Sequence, residues 1–359
     1  MGTARTLAQV YRRFGEVEAA GTSPLYERVA VALSESGEAL RAIETAPARK
    51  RHPTVILAAL HDLALAGRAP ELAAAYAAAD GDAAAGAAIG TLLRMTDEMV
   101  AIAVRRPVRT YGTSRCAVLY PAIAEAAGRL GADAAGLIDV GGPAGLNLSV
   151  DRVGITYSNG QTLGDPSSPV QLSSSVVGDR SLPARAMPEV VTRIGVGPDP
   201  FDVTDADEAR WLRACLWPGQ PERSAGLEAG IALAATAPPQ LLRGDAAELL
   251  PGAFARVPAG ALPVVITTWA LSSLPPASRQ RFLHRLGEAA AGRTVAWVSV
   301  EGVGVAPSVP TLGDRRASGH SIIGLAVPGP AVPGPAALRA EAIGRCWSRG
   351  RFLAWLARS

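Results

Sequence analysis

The sequence predicts an α/β fold in which a doubly wound, mostly parallel sheet follows an all-helical amino-terminal domain. Three observations predict it. From Leu7 to about Arg106, apolar residues recur at helical spacing. After Pro107, short apolar runs alternate with helical stretches, the pattern of strand-helix units that feed a parallel sheet. One of those runs, Leu137-Ile138-Asp139-Val140, passes into the turn Gly141-Gly142-Pro143-Ala144-Gly145 and on to Leu146-Asn147-Leu148, which reads as a buried strand entering a helix. At 359 residues the chain exceeds what one core usually serves, so two domains are expected: a helical cap over 1–108, and a sheet domain over 109–359 with an inserted hairpin or lid at about 151–192.

The elements follow in order. Val29 to Leu33, Val55 to Leu65 and Ile89 to Val104 mark a four- or five-helix amino-terminal domain, with Gly81 to Gly86, rich in alanine and glycine, as a surface loop within it. Arg115 to Pro121 leads into a helix ending near Gly131, and Leu137 to Val140 is the first core strand. The Ser/Gly/Pro-rich insert carries short alternating runs such as Val170-Gln171-Leu172-Ser173. Helices follow at Glu208 to Leu216 and Ser224 to Ala235, and then strands at Gln240 to Arg243, Val264 to Thr268 and Thr294 to Val300. Residues 307–336 read as a loop over one edge, and Ala337 to Ala357 as a closing helix.

Composition narrows the function. Hydrophobic residues make up 48% and charged residues 19%, with a net charge of +3, so no basic footprint for nucleic acid is present. Lys50 is the sole lysine, which excludes a standard phosphate-binding P-loop, and the abundance of alanine points to a high-GC, actinomycete-like coding sequence. Cys116, Cys215 and Cys346 lie far apart with no C-x-x-C pair, so neither a disulfide framework nor a zinc site is expected and a cytoplasmic setting is the simpler one. No leader-like apolar region opens the chain and no run approaches ~18 apolar residues, so neither secretion nor a membrane partner is expected. No serine stands in a nucleophile elbow. Trp211 and Trp217 read as core residues, and His52, His284 and His320 as surface ones.

In an open α/β sheet the carboxyl ends of the strands converge on the ligand crevice. Asp139, Asp245, Thr267 with Thr268, and Glu301 stand at such ends. Asp139-x-Gly141-x-x-x-Gly145 fits the first motif of S-adenosylmethionine-dependent methyltransferases better than the dinucleotide fingerprint, and it reads either as a small-molecule site or as a tight turn without a ligand. Asp245 after Gly244 reads either as an adenine-proximal acid or as the N-cap of the helix that follows. Glu301, after an apolar strand, needs a partner or a ligand if buried.

Several segments together carry a family resemblance: Arg115 to Pro121, Asp139 to Asp151, Trp211-Leu212 with Leu216-Trp217-Pro218 and Arg223, Gly244-Asp245, Trp297 to Glu301, and the alanine-rich helix with Ala58-Ala59-Leu60-His61-Asp62. Over most of its length the chain resembles the DUF2332 family, a bacterial and largely actinobacterial domain of unknown function. The resemblance implies a methyltransferase-like, Rossmann-like core behind a helical cap. Two departures stand out: Tyr111-Gly112 replaces the family's usual Asn-Glu pair, and Arg193-Ile194-Gly195-Val196-Gly197 lacks the acid that ends the second strand and holds a nucleoside ribose, which Asp199 would have to replace.

The expected function is therefore a small-molecule enzyme of bacterial secondary metabolism that needs no cofactor. Gly141, Gly145 and the helix start would hold a departing sulfate or phosphate, with Arg115 or Arg193 adding charge-assisted hydrogen bonds and Asn147 beside them. The substrate is an amine or amino-acid-like molecule, and the lead reaction is intramolecular C–N ring closure of the aziridine type. Asp62 would orient the amine, with His61 as its support or base and Glu301 as a second carboxylate; alternatively His61 is a satisfied core histidine. Adjacent helical residues diverge by about 100°, so both cannot point at one atom. The alternatives are a methyltransferase using S-adenosylmethionine and a noncatalytic binding subunit. The apolar cap edge permits pairing with a second copy or a homologous subunit.

Overall fold

The computed structural model describes residues 5–108, 112–141, 145–329 and 338–357. The chain divides into two compact units, Met1–Tyr111 with Asp205–Leu227, and Gly112–Thr204 with Glu228–Ser359. The first unit takes in a segment from the second half of the chain, which the expected division into 1–108 and 109–359 did not include.

The first unit opens with α1 (Leu7–Arg13), α2 (Pro24–Glu35), α3 (Gly37–Glu44), α4 (Pro53–Leu65), α5 (Pro70–Ala77), α6 (Gly81–Arg94) and α7 (Thr96–Arg105). Their starts are legible in the sequence. Thr6 and Gln9 form a capping box at α1, while Ser23 and Ser36 cap α2 and α3. The expected loop at Gly81 to Gly86 is instead the first turn and a half of α6. Asp80 accepts from the Asp82 and Ala83 N–H groups at 3.1 and 3.0 Å, and alanine then carries the helix through the glycines.

After α8 (Cys116–Leu130), which belongs to the second unit, the chain returns to the first for α9 (Ala206–Ala214). Its attachment is polar and aromatic. Arg210 Nε donates to Asp62 Oδ1 at 3.0 Å, and the Trp211 indole N–H donates to the Pro107 carbonyl at 3.0 Å. Trp217 packs edge-on against Phe14, with ring centroids 5.4 Å apart. Trp211 is fully buried, as expected of a core residue.

The second unit is built on one sheet: β1 (Ala134–Val140), β2 (Gly154–Tyr157), β3 (Thr162–Gly164), β4 (Gln171–Val176), β5 (Glu189–Gly197), β6 (Gln240–Arg243), β7 (Leu262–Thr268), β8 (Ala296–Gly302), β9 (Ser321–Pro328), β10 (Leu338–Trp347) and β11 (Phe352–Trp355). α10 (Pro221–Ala235) begins in the first unit and ends in the second, which also holds α11 (Ala246–Phe254) and α12 (Pro276–Gly292). The strand order is β3-β2-β4-β11-β10-β9-β8-β7-β1-β5-β6. From β8 to β6 every pairing is parallel, as the alternating pattern predicts. The sheet is doubly wound: α8 packs with Leu137, Val264 and Val298 on one face, and α11 and α12 pack with Ile138, Val265 and Trp297 on the other. The chain leaves β1 for β5 on one side and returns to β7 on the other, so the switch of direction lies between β1 and β7.

Two expectations fail at the carboxyl-terminal end. The loop expected at 307–336 contains β9, a buried strand antiparallel to β8, and the closing helix expected at 337–357 is the β10-β11 hairpin. Ala, Arg and Glu favour a helix locally, but pairing with β9 and burial of Ile343, Cys346 and Leu353 override that preference. The insert at 151–192 forms a β2-β3 hairpin and β4, which extend the sheet beside β11.

Candidate functional site

Asp139 sits at the penultimate position of β1, fully buried, beside the switch point. Its Oδ2 accepts from Asn147 Nδ2 at 3.1 Å, and the same amide donates to Thr268 Oγ1 at 3.2 Å. Arg115 Nη1 donates to that hydroxyl, also at 3.2 Å. Four side chains from β1, the turn after it, β7 and the start of α8 thus form one polar network at the carboxyl ends of the strands. Asp139 Oδ1 is buried and has no partner among the described residues.

The glycines shape this corner by letting backbones approach. Gly141 has φ +73°, and a Cβ there would stand 2.8 Å from the Ala270 Cβ; its N–H donates to the Val196 carbonyl at 2.8 Å. Gly145, at φ +63°, would collide with the Pro239 ring at 2.8 Å. Gly142 to Ala144 of the predicted turn, and Tyr111, lie outside the described residues.

Trp269, directly after β7, went unnoticed in the sequence. It adopts φ +55°, a left-handed conformation that a bulky side chain rarely takes, and three interactions hold it there. Its backbone N–H donates to Val300 at 2.9 Å, its indole N–H donates to Ser321 Oγ at 2.8 Å, and its ring carries the Arg115 guanidinium 5.0 Å from the centroid. Beyond the turn, the N–H groups of Ala270 and Leu271 donate to Glu301 Oε1 at 3.0 and 3.1 Å. Glu301 Oε2 is buried and without a partner among the described residues. No local pattern marks Trp269; only the pairing of β7 with β8 turns the chain there.

Both carboxyls are perturbed in one direction. Burial pushes Asp139 up to about 6, although the Asn147 hydrogen bond and the Arg115 charge pull it down. Burial pushes Glu301 up to about 7 against the N–H groups of Leu271, Ala270 and Ser272 and the charge of Arg279. Two acids that hold protons near neutrality, with an arginine whose charge reaches both, are equipped for proton transfer.

The remaining predicted residues are engaged elsewhere. Asp245 takes the N-cap reading: its Oδ1 accepts from the Ala247 N–H at 2.9 Å and its Oδ2 from Arg281 at 2.6 Å. Asp199 accepts from Arg243 at 2.8 Å. Arg193, in register with Leu137 within β5 and not at the strand's end, is paired with Asp151 at 2.7 Å. Thr267 accepts from the Trp297 indole at 3.1 Å on the α12 face. His61 and Asp62 belong to the first unit. Nδ1–H of His61 donates to the Ala214 carbonyl at 3.2 Å, and burial lowers the ring's pKa to about 4, so it is neutral at pH 7. Asp62 is the buried partner of Arg210. Both residues therefore fasten α9 to α4, the core reading for His61. His320, expected at the surface, is enclosed by Asp314 at 2.9 Å and the Trp347 ring. Cys116 and Cys346 are buried thiols, each pushed up to about 12.

Among the described residues no group of three or more His, Cys, Asp or Glu could hold a metal, and no helix is long and apolar enough to cross a membrane. No curated protein and no solved structure matches the chain. The family model described as an uncharacterized protein conserved in bacteria matches residues 8–355, nearly the whole length, and the chain therefore belongs to the DUF2332 family.

Proposed function

We propose that this chain is a small-molecule enzyme whose site is the crevice at the carboxyl ends of β1, β7 and β8, acting on an amine by nucleophilic substitution without S-adenosylmethionine. The observation that carries the reading is the pair of buried carboxyls, Asp139 and Glu301, each with an oxygen unpartnered among the described residues and raised in pKa by burial, within reach of the Arg115 charge. The lead reaction is ring closure of the aziridine type. The amine lone pair forms the C–N bond, the neighbouring C–O bond breaks, and its electron pair leaves on sulfate or phosphate. Asp139 orients the amine, Glu301 takes the N–H proton, and Arg115 neutralises the leaving anion. This moves the amine-orienting role from Asp62, which is committed to Arg210, to Asp139. A reducing, cytoplasmic setting in secondary metabolism suits the three free cysteines.

What supports a reading without that cofactor is the engagement of Asp199 with Arg243 and of Asp245 with Arg281 and the start of α11, the two acids that would otherwise serve a nucleoside at the ends of β5 and β6. One observation favours methyl transfer as the second reading: the backbones that end β1 and β5 approach closely at Gly141 and Gly197, where a Cβ on Gly197 would stand 3.9 Å from the Gly141 Cα, the glycine-lined strand ends that nucleoside-binding sheets use. Calorimetric titration with S-adenosylmethionine and S-adenosylhomocysteine, alongside incubation with 2-aminoethyl hydrogen sulfate, separates the two. The first reading expects no cofactor binding and release of inorganic sulfate with an aziridine visible by proton NMR. Micromolar cofactor binding without sulfate release would replace it with methyl transfer.

A further inference from the structure

Thr268 closes β7 on the same face of the sheet as Ile266, the residue in register with Asp139, while Thr267 turns to α12. The Thr268 side chain is buried, and its oxygen is met from two sides. Arg115 Nη1 stands 3.2 Å away, and Asn147 Nδ2 also 3.2 Å. A guanidinium can only donate, so the sense of the first bond is fixed. Asp139 fixes the second: a carboxylate ionised above about pH 6 can only accept, so the Asn147 amide turns its nitrogen to it, and the other hydrogen of that nitrogen goes to Thr268.

Both lone pairs of the hydroxyl are then occupied, and only its hydrogen is left to place. Cβ and the two donors take three tetrahedral directions around the oxygen, so the O–H points along the fourth. Among the described residues it meets no acceptor there: the two bonds to Thr268 Oγ1 are both accepted. A buried donor left unpaired is destabilising, and this one is polarised by the guanidinium bonded to its oxygen. Asp139 Oδ1 is likewise buried and without a partner among the described residues. One Asn147 nitrogen reaches both groups, so the carboxyl oxygen Oδ2 and the hydroxyl lie no more than about 6 Å apart. A free donor beside a free acceptor at that spacing suits one small molecule with an oxyanion at one end and an amine at the other.

We propose that the Thr268 hydroxyl donates a hydrogen bond to an oxygen of the departing sulfate or phosphate, beside the Arg115 guanidinium. The inference rests on the reading of the crevice given above and adds the group that meets the leaving oxygen. As the amine lone pair forms the C–N bond, the C–O bond breaks and its electron pair collects on the leaving group, while the N–H proton passes to Glu301. Thr268 keeps its own proton, because a hydroxyl is a far weaker acid than the conjugate acid of either anion. The hydrogen bond strengthens as charge grows on the oxygen, so it favours the transition state over the bound ester.

The test uses the full chain, calorimetric titration with 2-aminoethanesulfonate, which has the amine and the sulfur oxyanion but no ester bond to break, and turnover of 2-aminoethyl hydrogen sulfate and of 2-bromoethylamine. Thr268→Val keeps the shape and removes the hydroxyl, so sulfonate affinity and sulfate release each fall about tenfold, the loss of one hydrogen bond to a charged group. Catalysed closure of 2-bromoethylamine is unchanged, because bromide accepts hydrogen bonds poorly. Thr268→Ser keeps the donor and restores both losses, and Thr268→Ala repeats the measurement where Thr268→Val does not fold. Wild-type protein that does not bind the sulfonate overturns the donor, which water alone then meets. Thr268→Val that costs nothing further in an Arg115→Ala background also overturns it, since Thr268 then serves only to hold Arg115. If sulfonate binding depends on Thr268 but the sulfate ester is not turned over, ring closure falls and the donor stands. If sulfate is released with unchanged kcat and KM in Thr268→Val, the donor falls and ring closure stands.

Discussion

Replacing Glu301 by glutamine is expected to stabilise the protein, and only where the acid would be ionised. The wild-type carboxyl holds its proton to about pH 7, against an ordinary value of 4.5, because burial penalises the charge more than the N–H groups of Leu271, Ala270 and Ser272 and the charge of Arg279 relieve it. A folded-state pKa above the unfolded one means that the folded chain binds more protons between these values, so stability is fully present below 4.5 and is lost as pH rises through 7. At ~1.4 kcal/mol per pKa unit, the difference of about 2.5 units corresponds to a penalty on the order of 3 kcal/mol above pH 7. Glutamine keeps the oxygen that accepts from Ala270 and Leu271 and carries no charge. Glu301→Gln therefore unfolds at the same urea concentration as wild type at pH 4.5, and at pH 8.5 gains up to about 3 kcal/mol, roughly 6 to 12 °C in Tm. An equal difference at both pH values, or a loss of stability at pH 8.5, refutes the reasoning and shows that the ionised carboxylate is the form the fold prefers. The same variant is expected to lose turnover, so stability and activity move in opposite directions at one residue.

Gly141→Ala is expected to destabilise by about 1–3 kcal/mol, because it places a Cβ 2.8 Å from the Ala270 Cβ at φ +73°; an unchanged urea midpoint refutes the close approach. Asp62→Ala leaves the Arg210 guanidinium without its buried partner and is expected to cost about 2 kcal/mol in thermal unfolding, whereas lost turnover at unchanged stability would return Asp62 to the active site. His61 has a folded pKa of about 4, below its ordinary 6.5, so the unfolded chain binds more protons between these values and stability falls as pH drops through that window. Urea midpoints measured from pH 7.5 to 4 are expected to fall more steeply for wild type than for His61→Asn, and parallel curves refute a buried neutral imidazole.

Where local pattern and tertiary packing agree, the sequence is transparent. β1 is apolar on both faces because helices cover both, and Asp139 and Gly141 interrupt that run at the point where the crevice opens. Asn147 follows the same turn, so its hydrogen bond to Asp139 is within sequence reach. Asp245 and Asp62 were ambiguous for a physical reason: a carboxylate that caps a helix or pairs with an arginine looks the same in sequence as one that awaits a ligand, and only the placement of Arg281 and Arg210 decides. Trp269 lay beyond reach because a left-handed tryptophan contradicts local preference and is imposed by distant pairing. The β10-β11 hairpin was hidden in the same way, by residues whose intrinsic preference is helical and whose neighbours in the sheet are not.

The position of β11 between β10 and β4 sets an order of assembly. Phe352 and Leu353 pair with Ser175 and Val176, residues far apart in the chain, and among the described residues β11 links β3, β2 and β4 to the rest of the sheet. During synthesis, the hairpin and β4 wait with an unpaired edge until β10 and β11 have been made. Such long-range closure slows folding, and it makes β11 a checkpoint: a chain cut before Phe352 leaves β3, β2 and β4 without their link to β10 and is expected to aggregate rather than persist as a smaller folded domain.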